Sequence, residues 1–135
     1  MKQKLLTTLD VSQNYTLGVA QLMPEDGYAF SPAEGVWNFG ELIHHIAYGI
    51  YWWEDNFLRK KKTEWNPPAA AATKKAAVQY LTQAFASLRK TVETAVTDDD
   101  TVYGFFATID HITHHRGQAT VYLRGRGIKP PEYAF

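Results

Sequence analysis

The sequence predicts an all-α fold, a four-helix bundle formed as one domain by residues 1–135. Three observations support this prediction. Apolar residues recur at helical spacing in four segments, no segment alternates strictly between apolar and polar residues, and glycine, proline and aspartate separate the segments. Four helices of similar length joined by such breaks are typical of a bundle. The hydrophobic fraction of 45% is that of a globule that buries a core without disulfides.

The first helix is predicted near residues 2–22, because its apolar residues fall roughly on one stripe. These residues are Leu5, Leu9, Val19 and Leu22, with Tyr15 between them. Prolines and glycines then interrupt the pattern, at Pro24, Gly27, Pro32 and Gly35. The aromatic residues of this loop, Tyr28, Phe30 and Trp37, predict that the loop packs on the bundle.

The second helix is predicted from Asn38 to about Lys60. Asn38 is a favourable N-cap, and Glu41 stands three residues later, as in a capping box. The apolar stripe of this helix consists of Leu42, Ile46, Ile50, Trp53 and Phe57. The basic run 59–62 suits a helix C-terminus, where positive charge complements the helix dipole, better than a nucleic-acid surface.

The remaining chain predicts a connector and two further helices. Pro67 and Pro68 followed by four alanines indicate the connector, and Thr73 is the expected cap of the third helix. The apolar positions of that helix are Val78, Leu81, Phe85, Leu88 and Val92. The acidic run 98–100 marks the next turn, and the fourth helix is predicted over residues 101–124. Gly125 and Gly127 end it.

Composition excludes several classes of function. The 14 basic and 14 acidic residues give a formal net charge of +0, so the chain has no electrostatic footprint for nucleic acid. The absence of cysteine excludes disulfides, thiolate ligands and a thiol nucleophile of the chain itself. The first ten residues hold no apolar signal region, and no apolar run approaches the ~18 residues that span a bilayer. We therefore expect a cytoplasmic protein that binds neither nucleic acid nor membrane.

Three histidines are the candidate metal ligands. His111 and His115 are four residues apart on the fourth predicted helix, so their imidazoles share one face and can chelate one ion. His45, on the second helix, can supply a third imidazole from a facing helix. Three nitrogen ligands with open coordination positions suit a catalytic metal better than a structural one. Packing of the imidazoles against hydrogen-bonding neighbours is the alternative.

The two adjacent histidines are expected to point elsewhere. His44 and His114 are each offset by about 100° from the neighbouring candidate ligand on a helix. His114 is placed to pair with Asp110 one turn back. The four residues after His111 lack the general-base glutamate of a His-Glu-x-x-His metalloprotease.

Two helical glycines also need an explanation, because glycine inside a helix costs up to ~1 kcal/mol relative to alanine. Gly49 follows His45 by one turn. It permits either the close approach of another helix, which we favour, or room beside the histidine. Gly117 in the fourth helix invites the same interpretation.

Four polar residues near the candidate ligands have open roles. Glu41 is interpreted as a helix cap, with a role beside the metal as the alternative. Tyr48 and Tyr122 fall near the ligand faces and are interpreted as core residues rather than catalytic ones. Arg116 could bind an anionic substrate, but a salt bridge is the favoured interpretation.

Two segments resemble motifs of a known family. Residues 41–47, Glu-Leu-Ile-His-His-Ile-Ala, preceded by Gly-Val-Trp-Asn-Phe-Gly, resemble the second-helix motif of the DinB / YfiT-like metalloenzyme family. Residues 111–118, His-Ile-Thr-His-His-Arg-Gly-Gln, followed by Val-Tyr-Leu-Arg and Gly127, resemble its last-helix motif. The order and lengths of the four predicted helices also match that family.

The resemblance implies that His45, His111 and His115 bind a divalent metal, often nickel or zinc, inside a four-helix bundle. It also implies a homodimer, and some relatives are S-transferases or isomerases that use a low-molecular-weight thiol. The family name refers to DNA-damage induction and implies no DNA binding. The connection between the third and fourth helices looks short beside many relatives, so no substrate follows from the resemblance.

Together these observations predict a metal-dependent S-transferase or hydrolase that acts on a small molecule. Any thiol must come from a cofactor, because the chain has no cysteine. No catalytic side chain is assigned. The alternatives are a stress-related bundle that binds metal or ligand without turnover, and a partner-binding bundle whose histidines are merely packed.

Overall fold

The computed structural model describes residues 1–133 and 135. It contains helices α1 (Lys2–Leu22), α2 (Phe39–Trp53), α3 (Lys74–Thr94) and α4 (Asp99–Gly125). A 3₁₀-helix, Glu25–Ala29, follows α1. A single turn of π-helix, Glu54–Leu58, continues α2 and is called the π-turn below. Helices α1 and α2 each pack between α3 and α4. The described residues form no strand, so the predicted all-α four-helix bundle is confirmed.

The core lies between the predicted apolar stripes. Leu5, Leu9 and Val19 of α1 are buried, as predicted. Leu22 is 42% exposed, so its predicted place on the stripe is wrong. The helix ends at that residue, and the turn that follows carries Met23 into the core instead, where it is fully buried.

The start of α2 confirms the predicted capping box. The Asn38 side chain accepts a hydrogen bond from the Glu41 backbone N–H at 2.8 Å, and Glu41 Oε1 accepts one from the Asn38 backbone N–H at 3.1 Å. These two bonds satisfy donors that the first helical turn leaves unpaired. The cap fixes the entry angle of the helix that carries His45.

The helical path of α2 ends close to the predicted position, but its last turn is not α-helical. The α-helix stops at Trp53 rather than near Lys60, and the chain continues as the π-turn. Lys60 has a φ of 55°, a left-handed conformation that terminates the helical path. The basic run therefore follows the helix. Its first member, Arg59, pairs with Glu54 at 3.0 Å and with Asp55 at 3.5 Å.

Glu54 is a buried carboxylate that ties the π-turn to α3. It is 0% exposed. Its oxygens accept hydrogen bonds from Ser87 Oγ at 2.9 Å and from Thr91 Oγ1 at 2.5 Å, beside the ion pair with Arg59. Because a charge is kept in the interior only when it is well paired, this network holds the end of α2 in place.

The caps of the last two helices lie close to the predicted positions. The Thr73 hydroxyl accepts from the Ala76 backbone N–H at 3.2 Å, and the Asp98 carboxylate accepts from the Thr101 backbone N–H at 2.8 Å. Helix α4 begins at Asp99, two residues before the predicted start, and ends at Gly125. Gly127 has a φ of 74°, a conformation that glycine adopts without strain. None of the helices in the described residues combines the length and apolar character needed to cross a bilayer.

Candidate metal centre

Three histidines from two helices converge in the bundle. His45 of α2 and His111 and His115 of α4 each offer a ring nitrogen, and these nitrogens all lie within 4.8 Å of one another. The closest pair is His45 Nε2 and His115 Nε2, 3.0 Å apart. The convergence predicted from spacing is therefore present, because α2 packs directly on α4 and residues four apart share a helix face.

Gly49 makes room for one of these rings. A Cβ atom at Gly49 would stand 2.3 Å from His111 Cε1, so any side chain there would displace the imidazole. The glycine therefore leaves room beside a histidine, and that histidine is His111 rather than His45. A Cβ at Gly117 would meet nothing within 4 Å. The close-approach interpretation of Gly117 is wrong, because that residue faces solvent.

Gln118 orients the third imidazole. Its Oε1 lies 2.8 Å from His115 Nδ1, a contact that favours the tautomer with the proton on Nδ1. The lone pair of His115 Nε2 then faces His45 and His111. An outer partner of this kind usually accompanies a metal-ligating histidine. The sequence motifs gave Gln118 no role, although its position three residues after His115 on a helix places the two side chains together.

The three imidazoles are held in their neutral form. Burial, and secondly repulsion from the neighbouring imidazoles, lowers the pKa of His45 and of His111 from 6.5 to about 4. Burial also lowers the pKa of His115, although its hydrogen bond to Gln118 opposes that shift. Neutral imidazole is the form that binds metal ions, so the cluster is ready for ligation at neutral pH.

These pKa shifts predict that the metal-free protein loses stability as the pH falls from about 6.5 to about 4. In that window the imidazoles of His45 and His111 bind protons in the unfolded chain but stay neutral in the folded one. The free energy of unfolding therefore decreases as the pH falls. Urea unfolding at several pH values measures the slope. A double variant, His45→Asn with His111→Asn, controls for carboxylates and should give a shallower slope. An unchanged slope would contradict the assignment.

The adjacent histidines lie outside the cluster, as predicted. His44 is buried, its Nε2 lies 2.9 Å from the Pro68 carbonyl oxygen, and its ring stacks on Tyr80 with centroids 5.2 Å apart. His114 is exposed. Its predicted pairing with Asp110 is wrong for the described residues, which show no ion pair between them. The side chains of His114 and Asp110 both face water, which competes for such contacts.

Two tyrosines brace the surroundings of the cluster. Tyr122 is buried and donates its hydroxyl to the Trp37 carbonyl oxygen at 2.7 Å. The Tyr48 hydroxyl accepts a hydrogen bond from the Asn66 backbone N–H at 2.8 Å. Both therefore hold loops against the helices. Glu41 belongs to the capping box and not to the histidine cluster.

Arg116 has neither a salt bridge nor a place in the histidine cluster. It is 5% exposed, and its guanidinium carbon lies 4.7 Å above the Tyr15 ring on α1. No acidic residue in the described part of the chain forms an ion pair with it. The favoured salt-bridge interpretation is therefore wrong. One helical step of about 100° turns this side chain from the face that carries His115 toward α1.

Three of the four tryptophans lie beside the histidines, and the fourth packs against two of those three. Ring centroids of Trp37 and Trp65 lie 4.5 Å and 5.3 Å from that of His45, and Trp53 lies 5.8 Å from His111. Trp52 contacts Trp53 and Trp65 at 5.4 Å and 5.6 Å. The sequence pattern indicated only a packing role for Trp37 and Trp53. The four tryptophans come together because the segments before and after α2, which carry Trp37 and Trp65, fold back on it, and local spacing does not reveal those paths.

A cavity of about 460 Å³ opens beside His115. Its lining residues are Pro32, Gly35, Val36, Trp37, His115, Gln118, Val121 and Tyr122. None of the described residues that line it is acidic or basic, apart from the neutral imidazole of His115. Its volume is in the range that holds a small organic molecule, and its walls suit an uncharged, largely apolar one.

Comparison with known proteins identifies the family. Residues 8–123 match the family described as the DinB superfamily. The chain belongs to the DinB superfamily. The resemblance found in the two histidine motifs is thus confirmed, and this DinB protein carries its three-histidine cluster within the matched region.

Solved structures of DinB-like proteins share the fold. One from Bacillus cereus ATCC 10987 superimposes with a TM-score of 0.84 at 19% identity, over 98% of this chain and 97% of the other. The DinB-like protein YjoA from Bacillus subtilis gives 0.74 at 17% identity, over 98% and 96%. No curated protein matches the chain in sequence. At these identities the likeness extends to the fold alone.

Proposed function

We propose that this DinB protein binds one divalent transition-metal ion through His45, His111 and His115. The observation that carries the proposal is the convergence of three ring nitrogens within 4.8 Å of one another. His45 and His115 contact each other at 3.0 Å, and His115 also contacts Gln118 at 2.8 Å, but His111 has no such partner. The Nδ1 atom of His111 is buried and has no hydrogen-bond partner among the described residues, and a buried polar atom without a partner is unfavourable.

The donor set fits a borderline metal. Imidazole nitrogens suit zinc, nickel, copper and iron, and the resemblance favours nickel or zinc among them. The chain has no cysteine, and the cluster contains no carboxylate. Three protein ligands leave coordination positions free, which is the arrangement of catalytic rather than structural sites.

The chemistry we infer is transfer of an external low-molecular-weight thiol to a small electrophile, with hydrolysis as the second possibility. A divalent ion in this position would polarise a substrate group or lower the pKa of a bound water or thiol. The chain's own residues hold and shield the site. Gln118 positions the His115 ring, the tryptophans pack beside the imidazoles, and the cavity beside His115 receives the apolar part of the substrate.

Elemental analysis of the purified protein tests the metal site, and a turnover screen tests the reaction. We expect about one nickel or zinc ion per chain as isolated or after reconstitution. Thiol cofactors are then paired with electrophilic acceptors, and simple esters test hydrolysis. Metal without turnover of either class would favour the non-catalytic binding protein. If the protein retains no metal after reconstitution, both the metal-dependent enzyme and the non-catalytic metal-binding protein are ruled out. Homodimer formation and cytoplasmic location stay predictions.

Gly49→Ala is expected to weaken nickel or zinc binding about 10–100-fold, a loss comparable to that of an outer-sphere partner. The added Cβ would stand 2.3 Å from His111 Cε1 and push the ring away from the other two histidines. Calorimetric titration measures the affinity.

The matched control is Gly117→Ala, which makes the same change in a helix where nothing lies within 4 Å. It should keep full affinity and gain up to ~1 kcal/mol in the free energy of unfolding, because alanine is the better helix former. Equal metal affinity in the two variants would show that Gly49 does not position His111.

A further inference from the structure

A second polar site lies between α1 and α4. Arg116 is buried there at 5% exposure, and its Nη1 atom is enclosed without a hydrogen-bond partner among the described residues. No acidic residue of the described chain pairs with it. Its neighbours are the face of Tyr15 and the side chain of Tyr133. A buried guanidinium without a counter-ion is unfavourable, so the site lacks one partner.

Two hydroxyls on the facing helix are also unsatisfied. Ser12 and Thr16 lie one turn apart on α1 and are 3% and 0% exposed. Their side-chain oxygens have no hydrogen-bond partner among the described residues. Buried hydroxyls are nearly always hydrogen-bonded. Of these two hydroxyls, that of Ser12 lies in the same α1–α4 contact as Arg116.

Arg116 and Ser12 face a small cavity. Arg116 and Ser12 both line a space of about 190 Å³, to which Thr8 and Thr113 add hydroxyl side chains. The apolar and aromatic walls come from Val11, Ile109, Tyr133 and Phe135. The volume is below the ~300 Å³ of ordinary ligand pockets, so the space suits a single compact group.

We propose that this cavity binds an oxyanion, the phosphate or carboxylate group of a small ligand. The planar guanidinium matches the two oxygens of either group, and such charge-assisted bonds are the strong ones. The hydroxyls of Ser12 and Thr113 serve as further donors. The ligand thereby supplies a negative charge for the guanidinium and hydrogen-bond acceptors for the hydroxyls, which the described residues do not supply. This site is independent of the histidine cluster and of the function proposed for it.

Binding of inorganic phosphate and of acetate tests the proposal. Each anion is titrated at constant ionic strength into wild type, Arg116→Met and Arg126→Met, with calorimetry and Tm as readouts. Arg126 is a surface arginine near Asp26, so its variant is the matched control for the loss of one positive charge. We expect saturable binding of at least one anion to wild type and Arg126→Met, with a raised Tm, and none to Arg116→Met.

The general stabilising effect of phosphate on proteins is equal in all three proteins and cancels in the comparison. A response to phosphate alone or to acetate alone supports the proposal and identifies the chemical source. An equal response in wild type and Arg116→Met overturns it, as does the absence of saturable binding of either anion to wild type.

Ser12→Ala keeps the test decisive if Arg116→Met does not fold. It removes only one hydroxyl, and we expect about tenfold weaker anion binding, as for the loss of one hydrogen bond to a charged group. Two-dimensional NMR of wild type adds a local readout. Signals of Ser12, Thr113 and the Arg116 side chain should move on addition of the anion, and movement confined to surface lysines and arginines would overturn the proposal.

Discussion

Replacing His111 with alanine is expected to abolish stoichiometric binding of nickel or zinc while the bundle stays folded. The variant leaves two imidazoles, His45 and His115, and loss of a direct ligand should exceed the roughly 10–100-fold that loss of an outer partner costs. His111 Nδ1 has no hydrogen-bond partner within the described chain, so the change breaks no bond to that atom. Calorimetric titration and elemental analysis of the dialysed variant measure the effect.

His114→Ala is the matched control for this change. It removes an imidazole from the same helix, but the side chain is exposed and lies outside the cluster. Its metal affinity and Tm should equal those of the wild type. His44→Ala is a second control, because it removes a buried histidine near Pro68 and should lower stability but not metal content. Full affinity in His111→Ala would refute the three-histidine site.

Replacing Glu54 with alanine is expected to lower the free energy of unfolding by about 2–4 kcal/mol. The carboxylate is fully buried and accepts from Ser87, Thr91 and Arg59. Hydrogen bonds to a charged group contribute about 1.5–3 kcal/mol each. The desolvation of the carboxylate offsets part of their sum. The network joins the π-turn to α3, so global unfolding breaks it. Urea unfolding of the metal-free protein therefore measures the contribution of the network to the free energy of unfolding.

Two further variants separate charge from packing at this position. Glu54→Gln keeps the shape and one acceptor oxygen, so it should lose less stability than Glu54→Ala. Asp55→Ala removes a neighbouring carboxylate whose ion pair with Arg59 is longer, at 3.5 Å, and should cost under about 0.5 kcal/mol, as surface changes do. A Glu54→Ala loss no larger than that of Asp55→Ala would show that the network contributes little.

The features that sequence predicted well are local ones. Helix caps depend on residues three apart, which is why Asn38 with Glu41 and Thr73 could be recognised from the order of residues alone. The acidic run 98–100 predicted the turn before α4 but not that Asp98 is its cap. The pair His111 and His115 depends on the same short-range geometry. Adding His45 as their partner required the assumption that its helix faces theirs, and the motif resemblance implied the same three ligands.

The features that sequence missed depend on tertiary contacts. The π-turn at Glu54 forms where the carboxylate meets Ser87 and Thr91 of another helix, and no local pattern encodes that meeting. The glycine at position 49 was noticeable, but its neighbour His111 could be identified only from the register of α2 against α4. The burial of Arg116 against α1 likewise depends on how that helix docks.

The location of the tryptophans gives the molecule a built-in optical probe. All four indoles belong to one aromatic group around the histidine cluster, so ultraviolet emission reports on that region alone. Copper(II) bound by the imidazoles would quench nearly all of the tryptophan fluorescence. Zinc has a filled d shell and would leave much of that fluorescence in place. Anion occupancy near Arg116, on another face of α4, should change the emission little, so one spectrum can distinguish the two events.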